Sequence, residues 1–205
     1  MKKIVLASSS AQRKRMLESL GLSFVVDASN VDEDLKRHLS PRELVKQIAL
    51  KKVLTVAARH ANSIIIGADT VLVTNGKVSG KHRSAADVKK TLRLISGKTQ
   101  HALTGVAIID TSTGKRSVFH ASTMMRIRKL SEREIVAYAR SNEWVGKAGG
   151  YSVLGIGGTF VEHIRGNYEN IVGLPVPDVI RALKKFAMLE SVVSPVSSRV
   201  WVPVS

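Results

Sequence analysis

The sequence contains no cysteine. That excludes disulfides and thiolate metal sites, and it fits a reducing compartment. Aromatic residues make up only 4% of the chain, too few for the stacking platforms that hold single-stranded nucleic acid. No apolar run approaches the ~18–20 residues of a membrane span. The N-terminal run Ile4–Ala7 is too short for a signal-peptide core, so a cytoplasmic protein without membrane contact is expected. Acidic residues are also scarce. Sixteen Asp and Glu stand against 32 Lys and Arg, a net charge of +16. That imbalance favours a polyanionic partner: nucleic acid, an acidic membrane surface or a phosphate-rich small molecule.

What is present suffices for a core. Apolar residues make up 44% of 205, enough for one substantial domain or two small lobes sharing a sheet. The chain is organised around Ser63–Val73, SIIIGADTVLV. A long apolar run rich in β-branched residues reads as a strand buried on both faces. Asp69 inside it is costly unless it is paired, metal-bound or open to a cleft. Gly67 and Ala68 leave room beside it for a close approach. Removal of the Asp69 charge is expected to leave stability unchanged or raised.

Ile4–Ala7 reads as a strand, followed by Ser8-Ser9-Ser10 and a helix with Met16, Leu17 and Leu20 on one face, stopped at Gly21. Strand, serine turn and helix start present N–H groups and hydroxyls to an anion. Arg13, in the first turn, can fork onto phosphate oxygens. Ser23–Asp27 is a second strand, and Asn30–Asp34 an acidic loop whose paired carboxylates suit Mg²⁺. A capping box, Ser40–Glu43, opens a helix to about Arg59. On it Lys52 falls in an apolar stripe with Val45, Ala49 and Val56, either as a snorkelling stem or as a phosphate ligand. Asn75-Gly76 marks a hairpin, and its return strand leads to Gly80-Lys81. A helix from Ser84 to Leu94 follows, then long strands at His101–Ile109, where Thr104 and Gly105 leave a gap, and at Ser117–Ile127. Ser131–Glu134 caps a short helix to Arg140. Gly146–Gly158 holds six glycines, a loop with unusual backbone angles or close ligand approach. Thr159–Arg165 is a strand, and Asn170–Pro175 a turn into a final helix, Pro177–Leu189. Residues 1–189 form one domain. Residues 190–205 are a nearly uncharged tail with no helical period, expected to be flexible and to take no part in chemistry.

Together these segments resemble the Maf family of nucleotide pyrophosphatases, which shares its architecture with the Ham1-type inosine triphosphatases. The resemblance covers about Lys3–Phe186. It rests on LASSSAQRKRML, VDE at 31–33, the helix carrying Lys52, IGADTVLV, SGK at 79–81, LISGKTQHALTGVAI, KAGGY and NYENIVGLP. It implies an α/β fold of two lobes around a long twisted mixed β-sheet flanked by helices, with an active cleft between the lobes. It also implies hydrolysis of nucleoside triphosphates between the α and β phosphates, a divalent cation (Mg²⁺ or Mn²⁺) and a homodimer. By position, Ser8 and Arg13 would bind phosphate and Lys52 and Lys81 would neutralise its charge. Glu33 and Asp69 would hold the metal, and Asp69 would also be the base that activates water. Three places depart from the family pattern: His82 after Gly-Lys, the pair Gln100-His101, and Leu154, where a glutamine is common. They bear on base recognition, for which a dTTP/UTP-like preference is expected. The alternative is a catalytically weak relative that uses its basic surface to bind nucleic acid.

Overall fold

The computed structural model describes residues 2–31, 39–80 and 82–186. Glu33, Lys81 and the tail therefore lie outside the described residues. Strand β1 (Lys3–Leu6) leads through the serine turn into α1 (Ala11–Glu18). β2 (Phe24–Val26), α2 (Pro41–Ala57), β3 (Ser63–Thr74), β4 (Lys77–Ser79) and α3 (Ala85–Ile95) follow. The second half holds β5 (Thr99–Asp110), β6 (Arg116–Ile127), α4 (Glu132–Arg140), β7 (Val161–Arg165), α5 (Tyr168–Val172) and α6 (Val176–Lys184). The strands form one seven-stranded sheet in the order β2-β1-β3-β5-β6-β7, with β4 also paired to β3. β1 runs parallel to β2 and β3, and the other pairs are antiparallel.

Local signals set the ends of these elements. Ser10, Ser40, Ser84, Ser131 and Asn167 each accept a hydrogen bond from a backbone N–H three residues on and so cap a helix. Asn75 and Gly76 both take positive φ, 50° and 75°, the conformation a two-residue hairpin demands. Several boundaries differ from the sequence expectation, among them the final helix, which spans Val176–Lys184 where Pro177–Leu189 was expected. The last strand starts at Val161, because Ile156–Phe160 winds into a 3₁₀ turn that drives Phe160 into the core, edge-on to Tyr138. Asn170 lies within a short helix, not a turn, because Asn167 caps α5 by accepting from the Asn170 N–H three residues on.

Strand alternation sorts the core. Ile64, Ile66 and Ala68 of β3 point to the layer that holds Leu17 of α1 and Val179 and Leu183 of α6. Ile65 points to the opposite layer, against Ala49, Val53 and Val56 of α2. Gly67 falls in that second layer, and a Cβ there would lie 2.5 Å from Val53 Cγ2. The room beside Asp69 is therefore filled by helix α2, not by a ligand. Gly105, paired with Asp69 across the sheet, serves the same seat: a Cβ there would lie 2.2 Å from the Val45 carbonyl oxygen.

Candidate active site

The sheet register creates an opening. On the side of β3 away from β5, β1 pairs with residues 63–66 and β4 with residues 72–74. Between them, on that side, Gly67–Val71 has no strand partner among the described residues, although all five pair with β5 on the other. A cleft of about 490 Å³ lies against this gap, at the carboxyl end of β1. Crevices beyond the carboxyl ends of strands are where open α/β sheets take their ligands.

Alternation sends successive residues of β3 to opposite faces, and the site uses both. Asp69 faces α2. Lys52 Nζ donates to its Oδ1 at 2.7 Å, and both residues are 6% exposed. The stripe position of Lys52 is thus not a snorkelling stem: the ammonium is turned into the protein, onto the carboxylate. Thr70 faces α1. Its hydroxyl accepts from Arg13 Nη2 at 3.0 Å and meets the Thr104 hydroxyl at 3.0 Å. Thr104 then donates to the Asn170 carbonyl oxygen, also at 3.0 Å.

Arg13 is held at three points. Besides Thr70, Nη1 donates to Ser8 Oγ at 3.2 Å and Nε to the Gly173 carbonyl oxygen at 2.8 Å. Ser8 Oγ also accepts from the Ser10 N–H at 3.2 Å. The guanidinium is thereby fixed on the cleft wall before any anion arrives, which lowers the entropy cost of binding one. Asp27, just past β2, is gripped by Arg59 at 2.7 Å and by His60 at 2.8 Å. Those hydrogen bonds hold its carboxyl at about 2, below the usual 3.8. The clasp ties the start of the cleft-lining segment 28–31 to the end of α2.

The opposite wall is the glycine-rich loop. Gly146, Gly149 and Gly150 take φ of 71–74°, a region glycine enters without steric cost. Gly149 N–H donates to the Gly80 carbonyl oxygen at 2.9 Å. Tyr151 lines the cleft and is braced from behind: its hydroxyl donates to Gln100 Oε1 at 2.7 Å, and Gln100 Nε2 donates to Thr74 Oγ1 at 3.0 Å. Burial pushes the Tyr151 hydroxyl well above its ordinary range, so it stays a donor. Of the three positions set aside for base recognition, Gln100 is an internal brace and His82 packs against Gly150. Leu154 does line the cleft, 54% exposed at its rim.

Ser8, Arg13, Lys52 and Asp69 are thus brought together from four separate elements. Glu33 and Lys81 are not among the described residues. Thr70, Asn170 and Lys147 were given no site role in the sequence reading, and Thr104 was read only as a small group beside a gap. Thr70 was within its reach, because a strand that turns Asp69 to one face must turn its neighbour to the other.

A model of the Maf-like protein family matches residues 3–186. Proteins named dTTP/UTP pyrophosphatase from Bacillus mycoides (strain KBAB4) and Bacillus cereus (strain ATCC 10987 / NRS 248) are each 41% identical over 186 residues. The match covers 91% of this chain, and 96% and 91% of those proteins. Among solved structures, the Staphylococcus aureus Ham1 protein is similar over 62% of this chain and 72% of its own, with 20% identity and a TM-score of 0.44.

Proposed function

The chain belongs to the Maf family, and from that membership we propose that it hydrolyses nucleoside triphosphates between the α and β phosphates, with dTTP and UTP as preferred substrates. The observation that carries this reading is the buried Lys52–Asp69 pair beside the Ser8–Arg13 turn in one cleft. A carboxylate that can take a proton from water lies next to cations that can meet spreading phosphate charge.

In this reading Arg13 and Ser8 bind phosphate oxygens. Lys52 holds the Asp69 carboxylate in place by its 2.7 Å hydrogen bond. Asp69 accepts a proton from a water, whose oxygen bonds to the α-phosphorus as the α–β bridging bond breaks. The products are a nucleoside monophosphate and pyrophosphate. The donors are hard oxygens with no thiolate among them, which fits Mg²⁺ or Mn²⁺. No cage of three histidines or carboxylates exists among the described residues, so such an ion would complete its shell with substrate phosphates and water. Asp69 would hold it, joined by Glu33 on the strength of sequence position. When bound, the ion supplies Lewis-acid polarisation of the phosphates.

The test is a panel of nucleoside triphosphates with Mg²⁺ or Mn²⁺, with pyrophosphate and orthophosphate release measured separately. Pyrophosphate as first product, with dTTP and UTP turned over fastest, is expected. Orthophosphate as first product overturns the reading, as does absent turnover beside tight, salt-sensitive DNA binding. The working unit is a homodimer, and a single monomeric species in sedimentation at micromolar concentration would remove that element.

Leu154 bears on the choice of base. A leucine at the rim offers apolar contact only, whereas an amide can hydrogen-bond a base or sugar. Leu154→Gln is expected to change the ratio of kcat/KM between nucleotides by about 1–3 kcal/mol. An equal effect on every nucleotide would deny Leu154 a part in base reading.

A further inference from the structure

The cleft carries a cation that the reading above does not use. Lys147 lies on the glycine-rich wall, between glycines 146, 149 and 150, whose positive φ values hold the backbone in a tight turn. That turn has little freedom to move. A Cβ at Gly149 would lie 2.4 Å from Leu72 Cδ1, and one at Gly150 would lie 2.2 Å from His82 Cδ2, so the chain is pressed flat against β3 and its neighbour. Gly149 N–H is bonded to the Gly80 carbonyl oxygen. Lys147 is therefore presented from a fixed base, with a flexible four-carbon stem carrying its charge.

Among the described residues the cleft is positive. The charged side chains among the described cleft-lining residues are Arg13, Lys52, Lys147 and Asp69, three cations against one anion. Asp69 is engaged by Lys52. The acidic side chain nearest in sequence, Glu143, is committed elsewhere: its carboxylate accepts from the Ile156 N–H at 2.8 Å, the Gly157 N–H at 3.1 Å and the Tyr138 hydroxyl at 3.2 Å. The Lys147 backbone is bonded to Trp144 and Gly150, but its ammonium makes no hydrogen bond or ion pair among the described residues. A positive group held on a rigid wall, opposite an arginine already fixed for anions, matches a ligand with several negative charges along its length.

We propose that Lys147 is a substrate-binding residue that contacts the phosphate chain of the nucleotide from the wall opposite Ser8 and Arg13. The proposal rests on the nucleotide-hydrolysing reading, and it assigns that site a second cationic wall. A chain of phosphates is then gripped from both sides of the Asp69 gap, which aligns the bond to be cut with the base.

The experiment measures binding of tripolyphosphate, which carries the phosphates and no base, by calorimetry in Mg²⁺ buffer. Wild type, Lys147→Met and Lys147→Arg are compared, with melting temperatures to verify folding. Lys147→Met is expected to weaken tripolyphosphate roughly 10- to 100-fold, Lys147→Arg to recover most of the loss, and all three to melt alike. Affinity unchanged in Lys147→Met, or absent in the wild type, overturns the proposal. Wild-type nucleotide turnover tests the parent reading separately: an active wild type beside unchanged binding in Lys147→Met removes only Lys147.

Discussion

Asp69→Asn is expected to lower kcat by about 10²–10⁴-fold in a protein that still folds. The amide keeps the shape of the carboxylate and one acceptor for Lys52, but it cannot take a proton from water. From sequence alone, loss of a buried charge should leave stability unchanged or raise it. The ion pair reverses that sign. Lys52 Nζ lies 2.7 Å from Asp69 Oδ1 in a buried pair, and the neutral amide weakens a charge-assisted hydrogen bond. A loss of about 1–3 kcal/mol is expected, visible as a lower Tm. Near-wild-type turnover would remove Asp69 from the mechanism. An Asp69 that merely capped a turn would tolerate asparagine, which caps almost as well.

Gly105→Ala is expected to damage both stability and turnover, although Gly105 touches no substrate in the reading given. An added Cβ would lie 2.2 Å from the Val45 carbonyl oxygen, 2.3 Å from its carbon and 2.7 Å from the Lys46 nitrogen. All three are backbone atoms of α2, so no rotamer change relieves the overlap and the helix must lift. Overpacking of this kind costs about 1–3 kcal/mol, and occasionally more. With α2 backbone in the way the upper end is expected, near 3 kcal/mol, or a Tm lower by roughly 6–12 °C for a chain of this size. The lifted helix carries Lys52 away from Asp69, and a misplacement of about 1 Å can cost 10²-fold in rate. Gly67→Ala provides the graded comparison. Its closest contact, at 2.5 Å, is the Val53 methyl Cγ2, while the Ala49 carbonyl oxygen is at 3.2 Å. A side-chain end can turn aside, so the smaller loss is expected there. Wild-type melting and turnover in Gly105→Ala would show that α2 is not seated as described.

Much of this protein was legible along the chain because its signals are local. Serine caps, the Asn75-Gly76 turn and the β-branched run of β3 each act over a few residues, and each element they announce is present. The alternation that puts Asp69 and Lys52 in apolar surroundings is also a property of spacing, so both stood out as candidates, and the ordered motifs pointed to the family. What the linear order could not convey was which surface meets which. Gly67 and Gly105 read only as places of close approach, since a missing side chain signals no more than that something comes close. The sheet register and the crossing of α2 decide that it is a helix. The pairing of Lys52 with Asp69 follows from that crossing. Arg13 is fixed by Thr70 and by Gly173, which lie 57 and 160 residues away along the chain. Lys147, although part of the KAGGY motif, was given no role because a lysine in a glycine-rich loop carries no periodic signal. Its place on the cleft wall comes from the packing of that loop against β3, a long-range contact that tertiary structure alone decides.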